Sequence, residues 1–173
     1  MINSQSKLIK KFVRVFVFGI LSGCYAEPEF VMQRVPYEGN ELRIDGYYYH
    51  SNNSGNAIRY SFLFRNGVIY YEPYWYSTND LNELEQMFIK HKYEWLKKYA
   101  NGWGIFVING NRLELETWDA EGGLLRYVGR IENDTTMHLL QMVMRYGGVL
   151  PEDKIFHFKK FSPKPDSIKS FIK

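Results

Sequence analysis

The 173-residue chain has one cysteine, four histidines and six prolines. A single cysteine rules out an intramolecular disulfide and any zinc site built from several cysteines. His50, His91, His138 and His157 form no H-x-x-x-H or H-E-x-x-H spacing, so no helix carries a recognisable zinc motif. Neither G-x-x-x-x-G-K-[ST] nor G-x-G-x-x-G occurs, which removes the two common phosphate-cradling loops. No serine stands in a G-x-S-x-G elbow. No apolar run reaches the ~20 residues that cross a bilayer. Neither sign of charge dominates, since 22 basic and 19 acidic side chains give a formal net charge of +3. Internal repeats and low-complexity tracts are also missing. A hydrophobic content of 45% excludes a disordered chain, and the length suits one domain.

What the chain does have begins at its amino terminus. Lys7, Lys10 and Lys11 precede an apolar stretch from Phe12 to Gly23, broken only by Arg14. A basic segment followed by a short apolar one is the pattern of a secretory signal peptide. The stretch ends Leu21-Ser22-Gly23-Cys24, and Cys24 is the one cysteine. These four residues resemble the lipobox of bacterial lipoproteins. The resemblance implies a signal peptide over residues 1–23, cut before Cys24, and a membrane anchor of fatty acyl chains such as palmitate on Cys24. Each buried methylene contributes ~0.8 kcal/mol, so several chains hold firmly. Tyr25 stands where many inner-membrane lipoproteins carry aspartate. By the same resemblance, the cell envelope location is the outer membrane, facing either the periplasm or the surface.

The charge then reads differently. Lys7, Lys10, Lys11 and Arg14 leave with the signal peptide, and the remainder holds 18 basic and 19 acidic residues. Residues 154–173 carry six lysines against Asp166, whereas residues 24–153 hold 12 basic and 18 acidic residues. Nucleic acid is a poor partner for an exported, acidic-bodied domain. The basic tail, residues 163–173, is expected to be solvated and frayed, or to touch anionic headgroups.

Residues 24–40 contain Pro28, Pro36 and Gly39 without a usable period and read as a tether, with Phe30, Val31, Met32 and Val35 available to dock. A β-barrel-like domain follows over residues 41–162. Residues 42–49 alternate as a first strand, and strands follow over 58–64 and 68–71. Between these last two, Asn66-Gly67 is a strong hairpin signal because both residues tolerate positive φ. Leu81, Leu84, Phe88, His91 or Trp95, and Tyr99 then fall at helical spacing. Asp80 with Glu83 supplies capping chemistry and Gly102 a stop, predicting one amphipathic helix over about residues 80–100. It should lie against a sheet or over a barrel mouth. Strands resume over 103–108, 112–118, 124–131, 136–144 and 154–161, with Asn109-Gly110 as a second hairpin turn. Short strands with short connections argue a meander closed into a barrel or curved sheet.

Chemistry-bearing residues are sparse. His91 and Glu94 sit one helical turn apart, a spacing that suits two metal ligands but is common on solvated faces. Glu114 and Glu116 share a strand face opposite Leu113 and Leu115, so both are expected to face water. No catalytic residue, cofactor or metal site is expected. The compositional oddity is the aromatic content of 17%, crowded into Tyr47-Tyr48-Tyr49, Tyr60, Tyr70, Tyr71, Tyr74, Trp75 and Tyr76. Aromatics suit strands and fill small barrels. They also line ligand cavities, for which Tyr48, Tyr60, Phe62, Tyr70, Trp103 and Trp118 are the candidates.

With the lipobox, a β-meander and one helix in view, the chain resembles the lipocalin-like lipoproteins of Gram-negative bacteria. The echoes are Gly46-Tyr47-Tyr48 at the first strand and the closing run Phe156-His157-Phe158-Lys159-Lys160-Phe161. The chain differs in carrying tyrosine in place of the tryptophan of G-x-W, and in placing its helix after the third strand. The resemblance implies a mainly β fold: an antiparallel meander of about eight strands in a lipocalin-like barrel. It also implies non-catalytic binding of a small apolar or amphipathic ligand. The alternative is an envelope protein-interaction or assembly role without a cavity. An open cavity of ~300 Å³ or more favours the first, and a solidly packed barrel the second.

Overall fold

The computed structural model describes residues 29–92, 96, 98–119, 123–168 and 172. The expected signal peptide and Cys24 lie outside them. Eight antiparallel strands run in chain order around a closed barrel: β1 (Gly46–Ser51), β2 (Ile58–Leu63), β3 (Val68–Tyr71), β4 (Trp103–Asn109), β5 (Arg112–Trp118), β6 (Leu124–Asn133), β7 (Thr136–Met144) and β8 (Val149–Lys160). Tyr48 opposite Phe158 closes the ring between β1 and β8. The two Asn-Gly turns fall where expected, with Gly67 at φ 78° and Gly110 at φ 61°. Those values lie in the left-handed region that glycine enters without a Cβ clash.

Two departures from the sequence reading have physical causes. Residues 42–45 do not form a strand. They cross one end of the barrel, where Leu42 is 2% exposed and Arg43 N–H donates to the Asp134 carbonyl. In addition, β8 starts at Val149 rather than at residue 154, through Pro151. Proline is tolerated there because β1 pairs only with His157–Lys160, leaving the start of β8 bonded to β7 alone.

Between β3 and β4 runs a short helix, α1 (Leu81–Met87), continued by a π-helical turn over Phe88–Lys92. Leu96 and Lys98 are again α-helical. Asp80 caps α1, its carboxylate accepting from Asn82 N–H at 2.8 Å.

Alternation along the strands sorts side chains into two cores. The first draws Tyr48, Leu63, Ile69, Tyr71, Phe106, Leu113, Leu115, Tyr127, Met137, Leu139 and Phe156 from all eight strands, so it is the barrel interior. The second joins the opposite faces of β1–β4 (Tyr47, Tyr60, Phe62, Tyr70 and Trp103 among them) to Leu84, Phe88 and Leu96. The helical segment therefore lies against the outer wall of the barrel, not over its mouth. Phe88 is its anchor, with ring centroids 4.7 Å from Tyr60, 5.2 Å from Phe62, 5.3 Å from Tyr47 and 5.5 Å from Phe161. Such tilted and edge-on pairs contribute ~0.5–1.5 kcal/mol each beyond area burial.

The chain ends are also packed. Lys164 Nζ donates to the Ile44 and Leu63 carbonyls at 2.7 and 2.6 Å, above the Phe64 ring. Ile172 is 5% exposed in the outer core. The described part of the basic tail is thus docked instead of frayed, because its proline, lysine stem and isoleucine cover barrel surface.

Candidate functional site

The two ends of the barrel differ. At one end, Tyr37 folds over the interior beside Phe106, its hydroxyl donating to the Leu42 carbonyl and accepting from Leu42 N–H. Tyr48 fixes the same end from inside, its hydroxyl 3.0 Å from the Arg43 and Asp134 carbonyls. This end is closed.

The other end holds a cavity of about 270 Å³. Its depth is set by the buried residues Tyr71, Thr117 and Tyr127. Trp118, Leu125 and Met142 supply an apolar wall, and Arg59, Asp119, Glu152 and Lys154 a charged lip. Strand alternation explains the placement. Arg59 shares the inward face of β2 with Ser61 and Leu63, and its position at the strand start puts it at the open end. Side chains of the inner core fill the barrel beyond, so the cavity is a cup rather than a deep channel. At about 270 Å³ it falls just short of the ~300 Å³ that marks the lower bound of typical ligand pockets.

Arg59 organises this cup. Its Nη1 donates to the Tyr71 hydroxyl at 3.3 Å and its Nη2 to the Pro73 carbonyl at 2.9 Å. The guanidinium lies 4.8 Å from the Trp75 ring centre, a cation–π contact. Burial pushes the Tyr71 hydroxyl up, although Arg59 opposes this, and burial also drives the Tyr127 hydroxyl up, with help from Tyr71. Both phenols therefore stay protonated and able to donate. Burial pushes the neighbouring His50 imidazole below its ordinary value, so it is neutral at pH 7. Lys154 and Glu152 pair across the lip at 2.5 Å. Two N–H groups of cup residues, Arg59 Nε and Trp118 Nε1, are buried without a partner among the described residues. Such orphans cost ~1–3 kcal/mol each. The arrangement suits an acceptor-bearing, partly apolar molecule.

The six aromatic candidates do not converge. Trp118 lines the cup. Tyr48 is inside the barrel, at the closed end. Tyr60, Phe62, Tyr70 and Trp103 lie in the outer core beneath the helical segment, with Trp103 Nε1 donating to the Leu96 carbonyl at 2.8 Å. Sequence reasoning missed Arg59, Tyr71, Thr117, Tyr127 and Met142 as a set. The one available signal was polar Arg59 and Ser61 alternating with apolar Ile58, Tyr60 and Phe62, which marks a mixed inward face.

Glu116 also departs from expectation. It is 3% exposed on the outer wall, where it accepts from Met32 N–H at 2.8 Å. The segment carrying Phe30 and Met32 covers it, as no strand pattern reveals. Glu114 is only partly exposed, held between Arg112 and Arg126. Burial raises its carboxyl, but Arg126 and Arg112 outweigh this and hold it below its ordinary value. The His91–Glu94 pair lies outside the described side chains. Among the described residues no group of three or more His, Cys, Asp or Glu is placed to hold a metal, and no helix is long and apolar enough to cross a membrane.

Compared with known proteins, the chain matches no family model, no curated protein and no solved structure.

Proposed function

We propose that the protein is a lipid-anchored component of the bacterial cell envelope, at the outer membrane, that binds a small amphipathic ligand without transforming it. The anchor rests on the lipobox resemblance of Leu21-Ser22-Gly23-Cys24. The binding role rests on one observation: a closed barrel with one sealed end and, at the other, a cup that sets Trp118, Leu125 and Met142 beside Arg59 and two protonated phenols. An apolar wall with a few converging polar groups is the usual make-up of a ligand site. Arg59 suits a carboxylate, phosphate or sulfonate, and the wall suits a short apolar body.

The test is a fluorescence titration of the full chain with anilinonaphthalene sulfonate, an amphipathic anion. Saturable binding at one site is expected, weakened at least tenfold, ~1.4 kcal/mol, by Met142→Trp, which fills the cup. Unsaturable binding, or equal affinity in the variant, refutes the reading.

A further inference from the structure

The chain enters the fold at the open end. Phe30 packs on Trp118, at the rim of the cup, with ring centroids 6.1 Å apart. Cys24 lies six residues earlier, so at ~3.5 Å per residue it is within about 20 Å of that rim. A lipid on Cys24 would therefore tether the domain from its open end.

The same end carries the larger apolar cluster, whereas Val35 and Ile168 are exposed singly near the sealed end. The β7–β8 hairpin overhangs the barrel because the start of β8 has no β1 neighbour. Around its turn, Tyr146 is 95% exposed, Val149 55% and Leu150 43%. Leu125 pairs with Met144 while Leu124 pairs with Trp118, so the base of the hairpin stands two strand spacings, ~10 Å, around the wall from Trp118. Across the cup, Tyr74 and Trp75 are exposed on the loop after β3. The turns at the sealed end, Asn66-Gly67, Asn109-Gly110 and Asp134-Thr135, are polar. Among the described residues at this end, Arg59, Arg145 and Lys154 stand against Glu29, Asp119, Glu152 and Asp153, so no excess of positive charge is there to draw anionic lipid. Apolar insertion rather than attraction to anionic lipid is the force available. Tyrosine and tryptophan with branched aliphatics are the residues that settle at the headgroup boundary.

We infer that the open end rests on the bilayer, with the Tyr146–Leu150 tip seated among the lipid headgroups, so that the cup takes its ligand from the membrane surface. This rests on the proposed anchor for its geometry, and the test separates the two.

Full chains bearing Tyr146→Cys or Asn109→Cys are purified from cell membranes, labelled with an environment-sensitive fluorophore and reconstituted in phosphatidylcholine vesicles containing a headgroup-level nitroxide lipid. The label at 146 is expected to shift to the blue and to be quenched at least about twofold more than the label at 109. Intact mass reports separately whether Cys24 is acylated. The same labels in a Cys24→Ala background, titrated with the vesicles, keep the orientation test independent of the anchor. There the 146-over-109 contrast is expected at higher lipid concentration. A label at 146 that stays in water in both backgrounds, or equal quenching at the two positions, overturns the inference.

Discussion

The Phe30 ring meets Trp118 edge-on, the two planes 84° apart. Two residues further on, Met32 N–H donates to the buried Glu116 carboxylate. These two contacts fasten the entering chain to the outer wall of β5 beside the cup, and they make the chain before the barrel part of the domain surface.

Glu116→Ala removes the acceptor and leaves Met32 N–H unpaired, a cost of about 1–3 kcal/mol. Chemical denaturation is expected to show that loss, and limited proteolysis faster cleavage within residues 29–40. Glu116→Gln keeps an acceptor and should lose less. Identical proteolysis of wild type and Glu116→Ala contradicts the docking.

Phe88→Ala tests the division into two cores. Truncating a buried phenylalanine costs about 3–5 kcal/mol, and the four surrounding rings concentrate that cost on the helix. Affinity for anilinonaphthalene sulfonate in the folded variant is expected to change less than twofold, because Tyr60, Phe62, Tyr70 and Trp103 lie under the helix and away from the cup. A tenfold loss would place the ligand between helix and barrel.

How much of this was legible follows from particular residues. Asn66-Gly67 and Asn109-Gly110 marked their hairpins because their conformational demand is local. The order of strands and the inserted helix followed from periodicity. Which strand face points inward was not legible. Tyr47, Tyr48 and Tyr49 put rings on both faces, and the packing of Phe88 makes the outer face as buried as the inner. Alternation then assigns neither to a cavity. Glu116 next to Leu115 read as a solvated face because the segment covering it is more than 80 residues away in sequence. The cup draws on β2, β3, β5, β6, β7 and β8, and spacing along one strand cannot report such convergence.

Lys164 provides a pH signature. Burial pushes its ammonium down to about 8 from an ordinary 10.5. A depressed lysine binds fewer protons folded than unfolded between those values, so stability rises as pH goes from about 8 to about 9. Beyond that, Tyr37, Tyr47, Tyr48, Tyr60, Tyr70, Tyr71 and Tyr127, all raised by burial, overtake it and reverse the trend, since they ionise only on unfolding. Lys164→Met should abolish the rise between about pH 8 and 9 and keep the fall above it. Melting temperatures across pH 7–11 decide this, and an unchanged rise in the variant contradicts the buried amine.

The cup itself is tested most directly by native mass spectrometry of the chain extracted from its host's membranes in mild detergent. The account predicts a co-purified small molecule on the wild type, lost from both Met142→Trp and Arg59→Leu while each variant keeps its folded charge-state distribution. A wild-type chain carrying nothing beyond its own mass and acyl groups, or a bound molecule retained by both variants, contradicts it.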